Sequence, residues 1–368
     1  MAATVYFADV RTRKHSGSKL AKIARLCDAL ELKQILQKDE QTAVKLHFGE
    51  YGNDTHLNPV LVRAVIDKIK QAGAKPFLTD TCTLYSGHRR YAVDHLHIAY
   101  AHGFVPYVVD APAIIADGLT GENDKDVSIN GKHFASVHIA AEIAAAPAMV
   151  VLSHYKGHEM AGFGGAIKNL AMGCASVRGK REQHGTTVQW DEKDCIHCKL
   201  CIAICPQEAL SLGENDSIVV DAERCVGCFE CITVCQPKAL SINWLTEIPA
   251  FMERLTEYAY GAVKEKAGRV VYINFLLNVT PDCDCAGWSD MPLIGDVGIL
   301  ASTDPVALDQ ACFDMVQQAK SLRPELISLP EEKMDKFTAH WPNTRGSIQL
   351  SYGEEIGLGT REYTLKKI

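Results

Sequence analysis

At 368 residues the chain is long enough for two domains, or for one large α/β domain carrying an insert. Hydrophobic content of 47% and charged content of 23% are ordinary for a globular protein. The formal charge of −7 argues against non-specific nucleic-acid binding, which needs a basic surface.

Met1 to Val10 lacks the basic-then-apolar pattern of an export signal. The longest apolar stretch, Val137 to Ser153, is broken by Glu142 and Pro147, so no membrane span is expected. The cysteines of a chain this large suit a reducing compartment better than a disulfide framework, and the expected location is cytoplasmic.

In chain order, Thr4 to Ala8 reads as a strand, Lys19 to Leu30 as a helix and Thr42 to His47 as a strand. Pro59 opens a helix through Lys70 that Gly73 ends, and Pro76 to Thr79 is the next strand. Ala92 to His102 is helical and Val105 to Val109 strand-like. His138 to Ala145 reads as a helix before the strand Ala148 to Ser153. Later, Pro249 to Glu265 is a helix and Arg269 to Phe275 a strand. Pro305 to Lys320 is a helix capped by Asp304. Strand-like pieces follow at Ser347 to Ser351 and Glu362 to Leu365, in a tail that is polar from Pro324. This alternation predicts an α/β fold, layered around a largely parallel sheet. The expected divisions are 1–186 and 244–368 as two parts of that domain, with 187–243 as a small α+β insert. Three independent units are the alternative.

The insert carries two matching cysteine runs. Cys195, Cys198, Cys201 and Cys205 form the first, and Cys225, Cys228, Cys231 and Cys235 the second. Each is C-x-x-C-x-x-C-x-x-x-C, the spacing that wraps a cubane iron–sulfur cluster, so two 4Fe–4S clusters are expected. Zinc sites typically use two C-x-x-C pairs with a longer gap. The string Cys205-Pro206-Gln207-Glu208-Ala209-Leu210-Ser211-Leu212 repeats as Cys235-Gln236-Pro237-Lys238-Ala239-Leu240-Ser241-Ile242. These sixty or so residues resemble bacterial two-cluster ferredoxins. The resemblance implies that Cys195, Cys198, Cys201 and Cys235 hold one cluster and Cys225, Cys228, Cys231 and Cys205 the other. Gln236 departs from the pattern, because the proline falls one residue later, but no ligand is lost.

Outside the insert, polar and glycine-rich strings follow four predicted strands and should gather at one sheet edge, where open α/β sheets bind ligands. They include Lys45, His47 and Gly49, then Asp80 to Arg89, then Lys156 to Cys174, and finally Asp282 to Cys285. Lys156, Lys168, Arg178 and Lys180 suit a small anionic ligand, although lysines on a loop are often merely solvated. Lys45, His47, Gly49, Lys156, His158, Gly164, Gly165, Lys168 and Asn169 are the cofactor-binding candidates. If the ligand is a redox cofactor, a flavin mononucleotide (FMN) fits best, its phosphate on the glycine-rich loop. An additional metal ion is the other candidate, on His47, His56, His154, His158 and His184 with Glu50 and Asp80.

The strings Lys45-Leu46-His47-Phe48-Gly49-Glu50, Asp80-Thr81-Cys82-Thr83-Leu84-Tyr85, Lys156-Gly157-His158, Gly164-Gly165-Ala166-Ile167-Lys168-Asn169 and Cys283-Asp284-Cys285 together resemble the domain-of-unknown-function family numbered 362. The resemblance implies an α/β domain with a ferredoxin insert and no particular substrate.

Cys82, Cys174 and His158 are the catalytic candidates, with buried packing the commoner role for such cysteines. Cys283 and Cys285 could chelate a metal, form a redox-active disulfide or simply occupy a turn. Cys27 and Cys312 read as packing. The expected function is electron transfer between a redox partner protein and the pocket, entering at an exposed cluster and leaving near Lys168 and Cys174. The alternatives are an oxidoreductase acting on a small anion, through a flavin or without one, and a redox-sensing interaction protein.

Overall fold

The structure is a computed structural model and describes all residues except 1, 86, 186, 226, 242–243 and 323–334. The expected divisions after 186 and 243, and the tail's start at Pro324, fall on or beside these positions.

In chain order the main elements are β1 (Ala3–Asp9), α1 (Lys19–Ala29), β2 (Gln41–Lys45), α2 (Pro59–Gln71), β3 (Lys75–Asp80), α3 (Ala92–Ala101), β4 (Ala113–Ile115) and β5 (Ala148–His154). There follow α4 (Ala166–Cys174), α5 (Val177–His184), α6 (Trp244–Lys264), β6 (Val270–Leu276), β7 (Gly298–Ser302), α7 (Pro305–Gln318), α8 (Ile348–Glu355) and β8 (Tyr363–Lys367).

Among the described residues these eight strands form one sheet in the order β8-β1-β7-β6-β5-β2-β3-β4. β7 pairs antiparallel with both its neighbours, and the other pairs are parallel. The protein is an α/β protein with a mostly parallel sheet. Every residue of β5 and β6 is buried, as parallel strands covered on both faces require. Period-two alternation sends Met149, Val151 and Tyr272 to one core, and Val150, Leu152 and Ile273 to the other. α1, α2 and α3 contribute to the second core, and α4, α6 and α7 to the first.

Local chemistry explains the helix starts. Asn58 accepts from the Val60 amide ahead of Pro59, and Asp304 accepts from Val306 and Ala307 ahead of Pro305. Gly73, at φ 94°, turns the chain out of α2.

Three local expectations are corrected. Val105–Val109 is not a strand: Pro106 starts a short helix, Pro106–Val109, which the left-handed Asp110 ends, and the neighbouring strand falls at β4. His138–Ala145 is not one helix. Ser136–Ala140 pairs antiparallel with Asp124–Ser128, and only Ala141–Ala145 is helical. Ser347–Ser351 lies in and against α8, where Leu350 and Tyr352 are buried and the Tyr352 hydroxyl reaches Glu257.

β3 and β4 extend the sheet to one side of β2, whereas β5 and β6 lie on the other. The chain therefore reverses its winding between β2 and β5, and the crevice at their carboxyl ends is where such sheets hold ligands.

In the cysteine segment, short helices Leu200–Ile204 and Glu230–Thr233 each precede a short strand, Leu210–Leu212 and Leu240–Ser241. Leu210–Leu212 pairs with Ile218–Val220, and Leu240–Ser241 with Gln189–Trp190. Cys201, Leu210, Ile218, Cys231 and Leu240 join the core on the α6 side. Among the described residues no helix is long and apolar enough to cross a membrane.

Candidate functional site

A cavity of about 170 Å³ opens at the carboxyl edge of the sheet. Its wall takes His47 from the loop after β2, Asp80 from the end of β3 and Arg89 from the loop beyond it, His158 and Glu159 after β5, and Cys285 after β6. Lys168 comes from α4, Lys180 and His184 from α5, and Cys228 from the second cysteine run.

The floor is an ion-pair network at the winding reversal. Lys45 is fully buried, with its Nζ 3.0 Å from Asp80 Oδ1, and it donates to Asn169 Oδ1 at 2.7 Å and the Leu46 carbonyl at 3.0 Å. Asn169 is locked from its other end, donating to the Leu152 carbonyl and Ser153 hydroxyl. Burial alone would raise Asp80, but Lys45, with Arg89 beyond it, holds it far below the usual carboxylate range.

Arg89, 2% exposed, donates to Glu50 at 3.1 Å and to the Tyr85 hydroxyl, and faces His47 Nε2 at 3.0 Å. Burial, then Arg89, pushes His47 well below its usual value, so it stays neutral. Lys180 donates to the Thr81 hydroxyl at 2.6 Å and the Ala175 carbonyl at 2.7 Å, and burial lowers it.

A second network lies beneath Cys283 and Cys285. Asp284, 1% exposed, accepts from His154 at 2.8 Å and pairs with Lys156 at 3.2 Å. Burial would raise it, but the hydrogen-bonded His154 and the Lys156 ammonium beside it hold it well down. His154 turns its other nitrogen to the Leu277 and Asn278 carbonyls, so neither ring nitrogen is free for a metal. Lys168 Nζ sits 3.7 Å from Cys283 Sγ. Cys283 is pushed well below the usual thiol range, first by a hydrogen bond from Cys285 and then, against burial, by Lys168 and Lys156. One ligand atom each from His158, Cys283 and Cys285 lie within 4.8 Å of one another, so they could hold a metal ion.

The glycine-rich turn is arranged differently. The amides of Ala166 and Ile167, at the start of α4, donate to the Asp309 carboxylate at 2.8 and 2.9 Å. A side chain on Gly165 would strike that carboxylate, and one on Gly164 would press on Lys168. Burial lifts Asp309 to about 6. Gly49 lies in a left-handed turn against His56 and His102, which stack with ring centres 4.2 Å apart, outside the cavity wall.

Cys82 and Cys174 are fully buried and neither lines the cavity. Burial raises both thiols, Cys174 to about 11. Arg178 points outward to Glu182. Cys27 and Cys312 are buried.

The eight cysteines of the two runs flank two smaller cavities. One is lined by Cys195, Cys198, Cys201 and Cys235, and the other by Cys205, Cys225, Cys228 and Cys231. Cys228 also belongs to the wall of the large cavity. His184 stands beside it, its ring 5.9 Å from Phe229 and 5.4 Å from Phe251, and burial followed by Lys168 lowers it to about 3. Sequence reasoning did not single out Arg89, Glu159 or the cavity-facing position of Cys228, because all three depend on contacts distant in sequence.

Fold and site define an α/β protein with a cavity at the switch point of its sheet, lined by ionisable side chains and by apolar ones such as Leu84, Met172 and Phe251. Residues 42–314 match the family described as Domain of unknown function (DUF362), and the chain belongs to that family. No curated protein matches the chain. Among solved structures it is similar to the lactate racemase apoprotein from Thermoanaerobacterium thermosaccharolyticum, at 14% identity and a TM-score of 0.38. That likeness covers 75% of this chain and 51% of the other, so this chain spans about half of that protein's length.

Proposed function

We propose that the cysteine segment holds two 4Fe–4S clusters and carries electrons to a small anionic ligand in the sheet-edge cavity. The donor sets suit the groups: each small cavity is lined by four thiols, three from one run and the fourth from the other. Such clusters supply one-electron transfer at potentials tuned by amides and solvent. The observation that carries the reading is Cys228, which lines both the second cysteine cavity and the large one. An electron leaving that site reaches the ligand wall without crossing a domain.

Entry belongs at the other site, where Cys198 is exposed beside the exposed Ile196 and Leu200, a surface suited to a redox partner protein. Arg89, Lys168 and Lys180 give the cavity its anion preference, whereas Asp80 is engaged by Lys45. A flavin phosphate on the glycine-rich turn is not part of this reading, since Asp309 already takes the amides it would need. A reducing, cytoplasmic setting suits eight thiolate ligands.

The test is purification without oxygen, with iron and sulfide assayed and the reduced protein examined by electron paramagnetic resonance. About eight irons and eight sulfides per chain, with a two-cluster reduced spectrum, are expected for two cubanes. Zinc in place of iron, or a released yellow chromophore without clusters, would refute the reading.

A further inference from the structure

We infer that Cys283 and Cys285 are a reversible dithiol–disulfide pair that reduces a small anionic disulfide held in the cavity. The inference takes its electron source from the cluster reading above, but the pair is argued from its own geometry.

The two cysteines sit in a turn closed by the Ala286 amide donating to the Cys283 carbonyl at 2.9 Å. Residues two apart in a turn come within the Cα separation that an S–S bond needs, about 4.4–6.8 Å. Cys285 faces the cavity, and Cys283 lies behind it at 2% exposure. Lys168 Nζ, 3.7 Å from Cys283 Sγ, stabilises the thiolate of the reduced pair. Asp284 between them is pinned by His154 and Lys156, which fixes the turn.

The same geometry disfavours a metal. His158 Nδ1 accepts from the amides of Met160 and Ala161, both at 3.1 Å, so its proton belongs on Nε2. A metal-binding imidazole instead donates its second nitrogen's proton to a neighbour.

The chemistry balances. Breaking the Cys283–Cys285 bond takes two electrons, delivered singly through the cysteine segment, and one proton, and leaves one thiolate and one thiol. As the cavity-facing Cys285 attacks one sulfur of the ligand disulfide, its proton passes to the Cys283 thiolate that Lys168 had stabilised. The ligand S–S bond breaks, a mixed disulfide forms and the first ligand thiolate departs. Cys283 then attacks Cys285 Sγ, re-forming the internal bond and expelling the second ligand fragment, which takes the proton. The cations Lys168, Lys180 and Arg89 select an acidic ligand.

The test equilibrates the anaerobically purified holoprotein in oxidised and reduced glutathione, quenches with acid, alkylates, and maps the peptide containing Cys283 and Cys285. Both sites should gain and lose alkylation together, in a two-electron titration. Lys168→Met should disfavour the reduced pair on the order of tenfold, which corresponds to ~30 mV. Oxidised glutathione should be reduced faster than the neutral hydroxyethyl disulfide. Independent titration of the two thiols, equal rates with both disulfides, or a stoichiometric metal that blocks alkylation until a chelator removes it would each overturn the inference. Cys228→Ser separates the two readings. It should slow reduction of the pair by dithionite, and an unaltered dithionite rate counts against the cluster route alone, whereas the glutathione titration of the unsubstituted holoprotein judges the pair by itself.

Discussion

Replacing Lys45 by Met tests the floor of the cavity. Lys45 is fully buried and Asp80 nearly so, with 3.0 Å between their charged atoms. At an effective dielectric of 20 that separation is worth about 5.5 kcal/mol, partly offset by the cost of burying both ions. Removing one partner of such a pair typically costs about 3–5 kcal/mol, because the other charge is stranded. Here Arg89 and His95 approach Asp80 only to 3.9 and 3.6 Å, too far to replace the lost donor. Lys45→Met is therefore expected to lose about 4 kcal/mol of unfolding free energy in urea, read by circular dichroism at pH 7. The double change Lys45→Met with Asp80→Asn should recover about half of that loss, since no charge is then stranded. The pH dependence has a definite sign. Asp80 is depressed below its ordinary 3.8, so the pair's contribution is present above that value and is lost as pH falls through the depressed one. The gap between wild type and Lys45→Met should therefore narrow in acid. A single variant within 1 kcal/mol of wild type, or a double variant no better than the single, would refute the reasoning.

Cys228→Ser should remove the second cluster's signal and stop reduction of cavity ligands, whereas Cys198→Ser should impair entry from a protein partner; both are read by spin resonance and stopped-flow absorbance, and identical phenotypes would count against a directional path. Gly157→Ala should lower the melting temperature and weaken ligand binding, because its new Cβ would lie 2.1 Å from the Pro281 carbonyl oxygen; overpacking of this kind costs about 1–3 kcal/mol, and an unchanged calorimetric melt would refute it. Glu159 lines the cavity and, although its side chain is 47% exposed, desolvation there followed by Cys283 lifts it to about 7. It is neutral below that pH and repels anions above it, so sulfate affinity by titration calorimetry should fall from pH 6 to 8 in wild type and stay flatter in Glu159→Gln. Equal slopes would exclude Glu159 as the cause.

What could be read from the sequence follows the range of the interactions. The apolar runs of β5 and β6, and the Asn-Pro and Asp-Pro starts of α2 and α7, announce themselves because their determinants are local. Val105–Val109 misleads because β-branched residues follow the strand pattern, while Pro106 and the left-handed Asp110 decide for a helical turn. The segment Ser347–Ser351 misleads because what holds it is remote: Gln349 donates to the Ala161 and Phe163 carbonyls, 188 and 186 residues away. The same limit governs the site. Polar strings after β2, β3, β5 and β6 could be assigned to one sheet edge from topology alone, but not the use made of each residue. Glycines before α4 suggest a phosphate cradle until Asp309, 143 residues from Ala166, is seen holding the helix start.

The cysteine segment follows α5, and that position has a structural consequence. α5 carries Lys180 on the cavity wall and His184 in its last turn, also on the wall and against Phe229. Arg181, on the same helix, donates to Gln207 in the cysteine segment at 3.3 Å. Arg254 of α6 anchors the helix end by donating to the carbonyls of Gln183 and His184, both at 2.9 Å. One short helix thus has contacts with ligand wall, sheet edge and cysteine segment, and α6 holds its end in place. Connecting the segment at the end of α5 brings Cys228 to the cavity with no further linker. The same segment attached to the amino-end loops of the sheet would lie on the opposite edge, away from every residue that lines the cavity.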